Sequence, residues 1–199
     1  TGALEVGSSF AQTGRSTGVY LNAIVKPTTD ICVINTDTRN ANATQLKKTY
    51  DILTERLRNH QGFIYKKIDS TLRGNIKLEL EHLWQLGFRK FVIAPAYPKL
   101  ERITKAGYQY VKGHLVTDSA SSRDPRSPAT RSFIPDLLTD EMRNKSRVVQ
   151  SINAELLNKE HVFIVDITRD EDLRELAETL FDANYRGIIV GSNGLAQTI

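Results

Sequence analysis

The chain has 199 residues, a formal net charge of +4, 40% hydrophobic residues and 25% charged residues. This length suits a single domain that buries its own core, and the composition is that of an ordinary soluble protein. No apolar run reaches membrane-spanning length, and no segment near the start resembles a signal peptide. We therefore expect a cytoplasmic protein without a membrane partner.

The positive charge is spread along the chain and not gathered into one segment. Many basic residues lie beside Asp or Glu, as in residues 169–172. A nucleic-acid-binding surface usually combines a basic stripe with stacking aromatic side chains, and the sequence shows neither. We therefore predict no nucleic-acid partner and favour a small anionic ligand.

Disulfide and metal chemistry have little support in the sequence. The single cysteine, Cys32, excludes a disulfide scaffold, and its apolar neighbours predict a small buried side chain. The four histidines do not have metal-ligand spacing: His60, His82, His114 and His161. We predict no metal site.

Short apolar runs alternate with helical patterns along most of the chain. This alternation predicts an α/β fold, a three-layer sandwich with a mainly parallel sheet. In chain order we predict a helix over 3–12, strands over 19–25 and 31–35, a helix over 43–59, a strand over 63–68, a helix over 76–84 and a strand over 91–94. Regular alternation resumes with a strand at 148–149, a helix over 154–158, a strand over 162–165, a helix over 170–180 and a strand over 187–190.

The pattern breaks down between residues 95 and 135, which hold five of the six prolines. We predict a long irregular loop region here, with one isolated strand-like segment at 113–116. Long loops inside compact domains are usually functional or disordered. Arg123 and the adjoining Asp124 are candidates to close over a ligand from this region.

The most informative segment is 65–75, where the strand predicted over 63–68 passes into the following helix. Ligands of open α/β sheets bind at the carboxyl ends of the strands, where helix N–H groups also attract anions. Strand alternation places Lys67 and Asp69 on one face. The candidate binding residues are Lys67, Asp69, Ser70, Thr71 and Arg73. Together they offer cations and donors to an anion, with Asp69 left to orient a hydroxyl or take its proton; the alternatives are a surface ion pair and a helix cap.

Two further turns follow predicted strands and should reach the same edge of the sheet. In the first, Asp37 and Arg39 are candidate ligand groups, or members of a plain capping turn. In the second, the backbone of Gly191, Ser192 and Gly194 offers a cradle for phosphate. No Walker sequence follows this second turn, and we favour a simple tight turn there.

Several of these segments, in this order, resemble the four-carbon acid sugar kinases, which phosphorylate threonate, erythronate or 3-oxo-tetronate with ATP. The family's N-terminal domain carries a Thr-Asp-Ser/Thr-Arg turn, matched by 36–39, and a Lys-x-Asp-Ser-Thr-x-Arg-Gly segment, matched by 67–74. Weaker matches lie at 94–98, 124–125 and 191–196. Of the family's Asp-Asp-x-Thr-Gly-Ala opening, this sequence has only the last three residues, at 1–3. At 101–104 the sequence departs from the family's Gly-Arg-Thr pattern, and Arg102 is the candidate match for its arginine.

The resemblance implies that the sugar acid is contacted by Arg39, Lys67, Asp69, Ser70 and Thr71, with Arg73 close by. Further candidates are Asp37, Arg102 and Arg123. It also implies ATP and Mg²⁺ for the full-length enzyme, bound by a C-terminal domain expected beyond Ile199, and no cofactor for this fragment alone. The acidic pair expected before Thr1 does not occur in the sequence, so no catalytic residue is assigned.

We therefore predict that 1–199 is the sugar-acid-binding domain of such a kinase, truncated at its N-terminus and inactive alone. The alternative is a stand-alone module that binds small anions or a partner and has no kinase activity. The preferred sugar acid and the oligomeric state are not predicted.

Overall fold

A computed structural model describes residues 2–21, 24, 28–60, 62–159 and 161–199. Its strands are β1 (Thr17–Tyr20), β2 (Ile31–Ile34), β3 (Ile64–Lys67), β4 (Phe91–Ala94), β5 (Arg102–Lys105), β6 (Tyr108–Val111), β7 (His114–Leu115), β8 (Ser146–Val149), β9 (Val162–Val165) and β10 (Ile188–Gly191). Its α-helices are α1 (Gly2–Ala11), α2 (Ala43–Arg58), α3 (Ile76–Gln85), α4 (Asp140–Asn144), α5 (Ala154–Leu157), α6 (Asp170–Asp182) and α7 (Asn193–Ala196).

Five parallel strands form the central sheet, in the order β3–β10–β4–β9–β8. The three inner strands are buried along their whole length. Such strands need apolar residues on both faces, which explains their unbroken apolar sequences. Because all five strands run the same way, their carboxyl ends meet at one edge.

Helices cover both faces of this sheet. One core cluster joins Phe91 and Ile93 of β4 to α2 and α3, for example through Leu46 and Leu80. A second cluster joins the opposite face to α5, α6 and α7. The predicted three-layer α/β sandwich with a mainly parallel sheet is confirmed.

Strands β1 and β2 form a separate parallel pair beside the main sheet. Helix α1 contacts both this pair and β3. The four residues of β2 and the four of β3 are only partly buried, unlike those of the inner strands. An open cleft therefore lies between β2 and β3, with the edge strand of the main sheet along one side.

The predicted helices and strands are present with small shifts of their ends. The predicted strand over 19–25 is found at Thr17–Tyr20, and residues 22, 23 and 25 lie outside the described part of the chain. Cys32 is only partly buried, so the prediction of full burial is wrong. Its strand belongs to the half-covered pair, which an apolar sequence alone does not reveal.

The segment 95–135 is more ordered than predicted. Strands β5, β6 and β7 form an antiparallel meander, followed by short 3₁₀ turns. The strand-like segment at 113–116 is therefore paired with β6 and not isolated. Side-chain contacts replace regular apolar patterning here: Gln109 is fully buried and bonds to the buried Thr104. Polar residues in a buried strand concealed this small sheet from pattern analysis.

Candidate functional site

The cleft between β2 and β3 has a volume of about 1890 Å³ and is open to solvent. This exceeds an ordinary small-molecule pocket, so only part of it is a ligand site. Its end at the carboxyl edge of the sheet concentrates the predicted site residues. Those that line it are Asp37, Arg39, Lys67, Asp69, Ser70, Arg73 and Arg102. The topology thus brings together side chains from three separate stretches of the chain.

Asp69 stands at the centre of this edge, immediately after β3. Its carboxylate accepts hydrogen bonds from Thr71 Oγ1 at 2.5 Å and from Arg73 Nε at 2.8 Å and Nη2 at 3.2 Å. Burial favours the neutral acid, but these donors outweigh it and lower the pKa of Asp69 to about 2. Asp69 is therefore a stable carboxylate and a weak base.

Asp124 joins two arginines of the site. It accepts a hydrogen bond from Arg73 Nη1 at 3.0 Å, and it lies 3.6 Å from Arg39 Nη2. Backbone N–H groups of Ser127 and Arg126 lower the pKa of Asp124. The loop predicted to close over a ligand thus reaches the site through Asp124. Arg123, the other residue predicted from this loop, is exposed and is absent from the described cleft lining.

Lys67 lies on the face of β3 that carries α1. Its ammonium donates to the carbonyl oxygen of Ile68 at 2.9 Å and lies close to Gly2. Burial lowers the pKa of Lys67, and the nearby Asp69 carboxylate opposes that effect. Among the described residues Lys67 has no ion pair within 4.0 Å, so the alternative of a Lys67–Asp69 surface pair does not describe the geometry. A ligand anion would compensate this partly buried charge.

Ser70 links the strand end to the β5–β7 meander. Its hydroxyl accepts from Arg102 Nη1 at 2.5 Å, and its carbonyl accepts from Gln109 Nε2 at 2.8 Å. The Nε atom of Arg102 is buried without a partner in the described part of the chain. Thr71 is buried against Asp69 and is not part of the cleft lining. It orients the carboxylate and does not face the cleft.

The two other predicted turns differ from each other. Asp37 is exposed in the left-handed region, with φ of 49°, beside the cleft. Gly191, Ser192 and Gly194 are all buried. The Ser192 hydroxyl donates to Ala96 O at 2.9 Å and accepts from Gly194 N at 3.1 Å. This arrangement is that of a tight capping turn, with the donor of Gly194 already used.

Several residues that support the site are not predicted by the sequence pattern. Gln109, Glu79 and Asn75 bond to site segments far away in sequence. No local signal identifies such contacts, because their partners are 37 to 41 residues away. The Asp69–Arg73 pair did carry a signal, since opposite charges four residues apart commonly interact.

No helix in the described ranges is long and apolar enough to cross a membrane. In the same ranges, no cluster of three or more His, Cys, Asp or Glu residues is arranged to hold a metal ion.

The fold and the cleft define a class of protein: an α/β domain that presents cationic and hydroxyl side chains at the carboxyl edge of a parallel sheet, as small-ligand domains do. The model of the sugar-binding N-terminal domain family matches residues 1–199. The chain belongs to that family, and the resemblance found in its sequence is confirmed.

Its relatives include several kinases. The chain is 30% identical to D-threonate kinase of Salmonella typhimurium, covering 100% of this chain and 51% of that protein. It is 26% identical to D-erythronate kinase of Heliobacterium modesticaldum, covering 89% and 45%. The chain therefore spans about half the length of these relatives.

Solved structures share the fold. A domain of unknown function from Bordetella bronchiseptica, crystallised with bound citrate as a domain-swapped dimer, matches with a TM-score of 0.85 and 28% identity. The match covers 99% of this chain and 52% of that one. The parallel sheet and its flanking helices are thus features of this group of proteins.

Proposed function

We propose that this chain is the sugar-acid-binding half of an ATP-dependent four-carbon acid sugar kinase. Threonate, erythronate or 3-oxo-tetronate would occupy the carboxyl end of the cleft. The observation that carries this proposal is that Arg39, Lys67 and Arg102 line the same cleft as the Asp69 carboxylate. The kinase relatives support it, as does the citrate, a small carboxylate, in the Bordetella protein.

The substrate carboxylate suits Arg39. A guanidinium binds carboxylates in a two-pronged geometry, and the Arg39 side chain is 44% exposed beside the cleft. Its contact with Asp124, at 3.6 Å, is longer than a hydrogen bond. Arg39 therefore retains donors for a ligand.

Substrate hydroxyls suit Lys67 and Asp69. The Lys67 ammonium has three N–H donors and gives one to Ile68 O. The Oδ1 atom of Asp69 receives one bond, from Arg73, and has capacity for a second donor. Because its pKa is about 2, Asp69 would orient a hydroxyl and not take its proton.

ATP and Mg²⁺ fit poorly to the described residues of this chain. These residues hold no acid cluster arranged for a metal, and the Gly194 N–H in the Gly191–Gly194 turn is already bonded to Ser192. We propose that a C-terminal domain of the parent kinase binds the nucleotide, and that this chain alone does not transfer phosphate. We further propose a cytoplasmic location for the parent enzyme.

Calorimetric titration tests the proposal. The chain is titrated with D- and L-threonate, D- and L-erythronate and 3-oxo-tetronate, with citrate and phosphate as other anions, and separately with Mg·ATP. Binding of one sugar acid without binding of Mg·ATP is the expected result. Equal binding of all anions would favour the stand-alone anion-binding module, and binding of no sugar acid would contradict the proposed function of this chain.

The Arg39→Ala variant should bind the preferred sugar acid about 10- to 100-fold more weakly, because the carboxylate loses a charge-assisted pair worth about 1.5–3 kcal/mol. Its urea midpoint should stay close to that of the parent. Arg123→Ala is the matched control, since Arg123 is exposed outside the cleft lining. Unchanged affinity in Arg39→Ala would remove Arg39 from the binding site.

A further inference from the structure

Glu79 is a buried acid of α3 with no part in the ligand contacts described above. It is 5% exposed and belongs to the cleft lining. One carboxylate oxygen pairs with Lys66 Nζ at 2.9 Å. The other accepts a hydrogen bond from Thr38 Oγ1, which also contacts Thr36 Oγ1 at 2.8 Å. Glu79 therefore connects β3 to the turn that carries Arg39.

The start of α3 holds this turn at further points. Asn75 donates two hydrogen bonds from Nδ2, to Thr38 O at 2.8 Å and to Ala41 O at 2.6 Å. Gly74, with φ of 95°, lies so close that an added Cβ would stand 3.0 Å from Arg39 O. The backbone on both sides of Arg39 is thus attached to one helix start.

A buried ion pair of this kind is weak evidence for stability. Removing a carboxylate and an ammonium from water is costly, and apolar side chains often serve a core at least as well. Burial opposes the charge on Lys66, yet the adjoining Glu79 carboxylate outweighs it and raises the pKa of Lys66. Lys66 therefore stays charged. The geometry indicates a role outside the core, because the second oxygen of Glu79 accepts a hydrogen bond from Thr38 in the turn that carries Arg39.

We propose that Glu79 is a positioning residue that acts through Thr38 to hold Arg39 in place for the substrate carboxylate. This inference rests on the proposed function. The Arg39 side chain has only a 3.6 Å contact, with Asp124, among the ion pairs of the described residues. Its direction therefore depends on its backbone, which Asn75 holds through Thr38 O and Ala41 O and Ser127 holds through Arg39 O. Binding groups need to be held within about 0.5 Å of their productive position.

Thr38→Val is the sharpest test. It removes the hydroxyl that reaches Glu79 while leaving the Lys66–Glu79 pair intact, whereas changing Glu79 leaves Lys66 buried and unpaired and risks the fold. Thr117→Val is the matched control: it also removes a threonine hydroxyl, bonded to Ser132 at 2.9 Å, but lies outside the cleft lining.

The readout is a double-mutant cycle with Arg39→Ala, measured by titration of the sugar acid that the parent binds. Thr38→Val alone should weaken binding roughly tenfold, and less than twofold when Arg39 is already alanine, because residues that act as a unit are not additive. Thr117→Val should bind like the parent. Unchanged affinity in Thr38→Val, or losses that multiply in the double variant, would overturn the proposal.

Hydrogen exchange of the same variants separates this inference from the proposed function. The Ala41 amide donates to Thr38 O, so its exchange should speed up about tenfold or more in Thr38→Val, while the β4 amides keep their rates. If the parent binds no sugar acid, the proposed function fails, and faster Ala41 exchange still supports the anchoring of the turn. Unaltered Ala41 exchange would show that Glu79 does not hold it.

Discussion

The two faces of β3 use adjacent lysines in opposite ways. Lys66 points toward α2 and α3, where Glu79 neutralises it within a closed network beside Tyr50. Lys67 points toward α1, and its pKa is lowered because burial is only partly offset by Asp69. Strand alternation alone separates these environments. The paired Lys66 contributes to the structure of the domain, whereas the charge of Lys67, unpaired within the described part of the chain, is available to a ligand.

The largest loss of stability should follow from breaking the buried Lys66–Glu79 ion pair. In Lys66→Met the Glu79 carboxylate keeps its burial but loses its countercharge, which typically costs about 3–5 kcal/mol. Urea unfolding at neutral pH measures the loss. The double variant Lys66→Met/Glu79→Leu should recover most of it, because both charges are then gone. If Lys66→Met loses less than about 1 kcal/mol in the free energy of unfolding, Glu79 does not depend on Lys66 as its buried countercharge.

An intermediate effect on stability is expected at Asp69, which lies on the same face of the strand as Lys67 and pairs with Arg73. Its pKa is about 2 when folded, against about 3.9 in an unfolded chain. The unfolded chain therefore takes up the proton first as the pH falls. The stabilisation, about 2 kcal/mol, is fully present above about pH 4 and is lost as the pH falls toward 2.

Asp69→Asn should remove about 2 kcal/mol at pH 7 and flatten the decline of stability between pH 4 and pH 2. Chemical unfolding at several pH values measures both quantities. Asp51→Asn breaks an exposed pair with Lys47 and serves as the control, with an expected change below about 1 kcal/mol. Equal acid sensitivity of Asp69→Asn and the parent would contradict the pairing with Arg73.

The smallest effect on stability should come from replacing Lys67, which has no ion pair among the described residues. Lys67→Gln relieves a partly buried charge, so the free energy of unfolding should change by less than about 1 kcal/mol. Sugar-acid affinity should nevertheless fall about tenfold, and its dependence on salt should weaken. Calorimetry at two salt concentrations tests this. A stability loss like that of Lys66→Met would erase the difference between the two faces.

Much of the architecture follows from sequence, because apolar periodicity reports burial directly. The inner strands β4, β9 and β10 and the amphipathic helix α6 are examples. The site residues after β2 and β3 were also predictable, since parallel strands end at one edge. Their contacts with a substrate stay predictions.

Long-range polar contacts were not predictable in the same way. Asp124 reaches Arg73 across 51 residues, and Gln109 reaches Ser70 across 39. Such contacts produce no periodic pattern in the sequence, because each one needs only a single side chain from each segment. The same reason explains why the sequence predicts both Arg123 and Asp124 for the cleft, whereas only Asp124 contacts the arginines of the site. Polar positions inside β5 and β6 likewise disguised an ordered meander as a loop.

Gly74 has a consequence for engineering this domain toward other ligands. A side chain added there would meet Arg39 Cγ at 2.7 Å and would also strain a backbone with φ of 95°. We expect libraries randomised at position 74 to return glycine. The backbone that carries Arg39 thus resists re-aiming by single substitutions, and a designer seeking a new specificity would do better to exchange the side chain at position 39 on the existing frame.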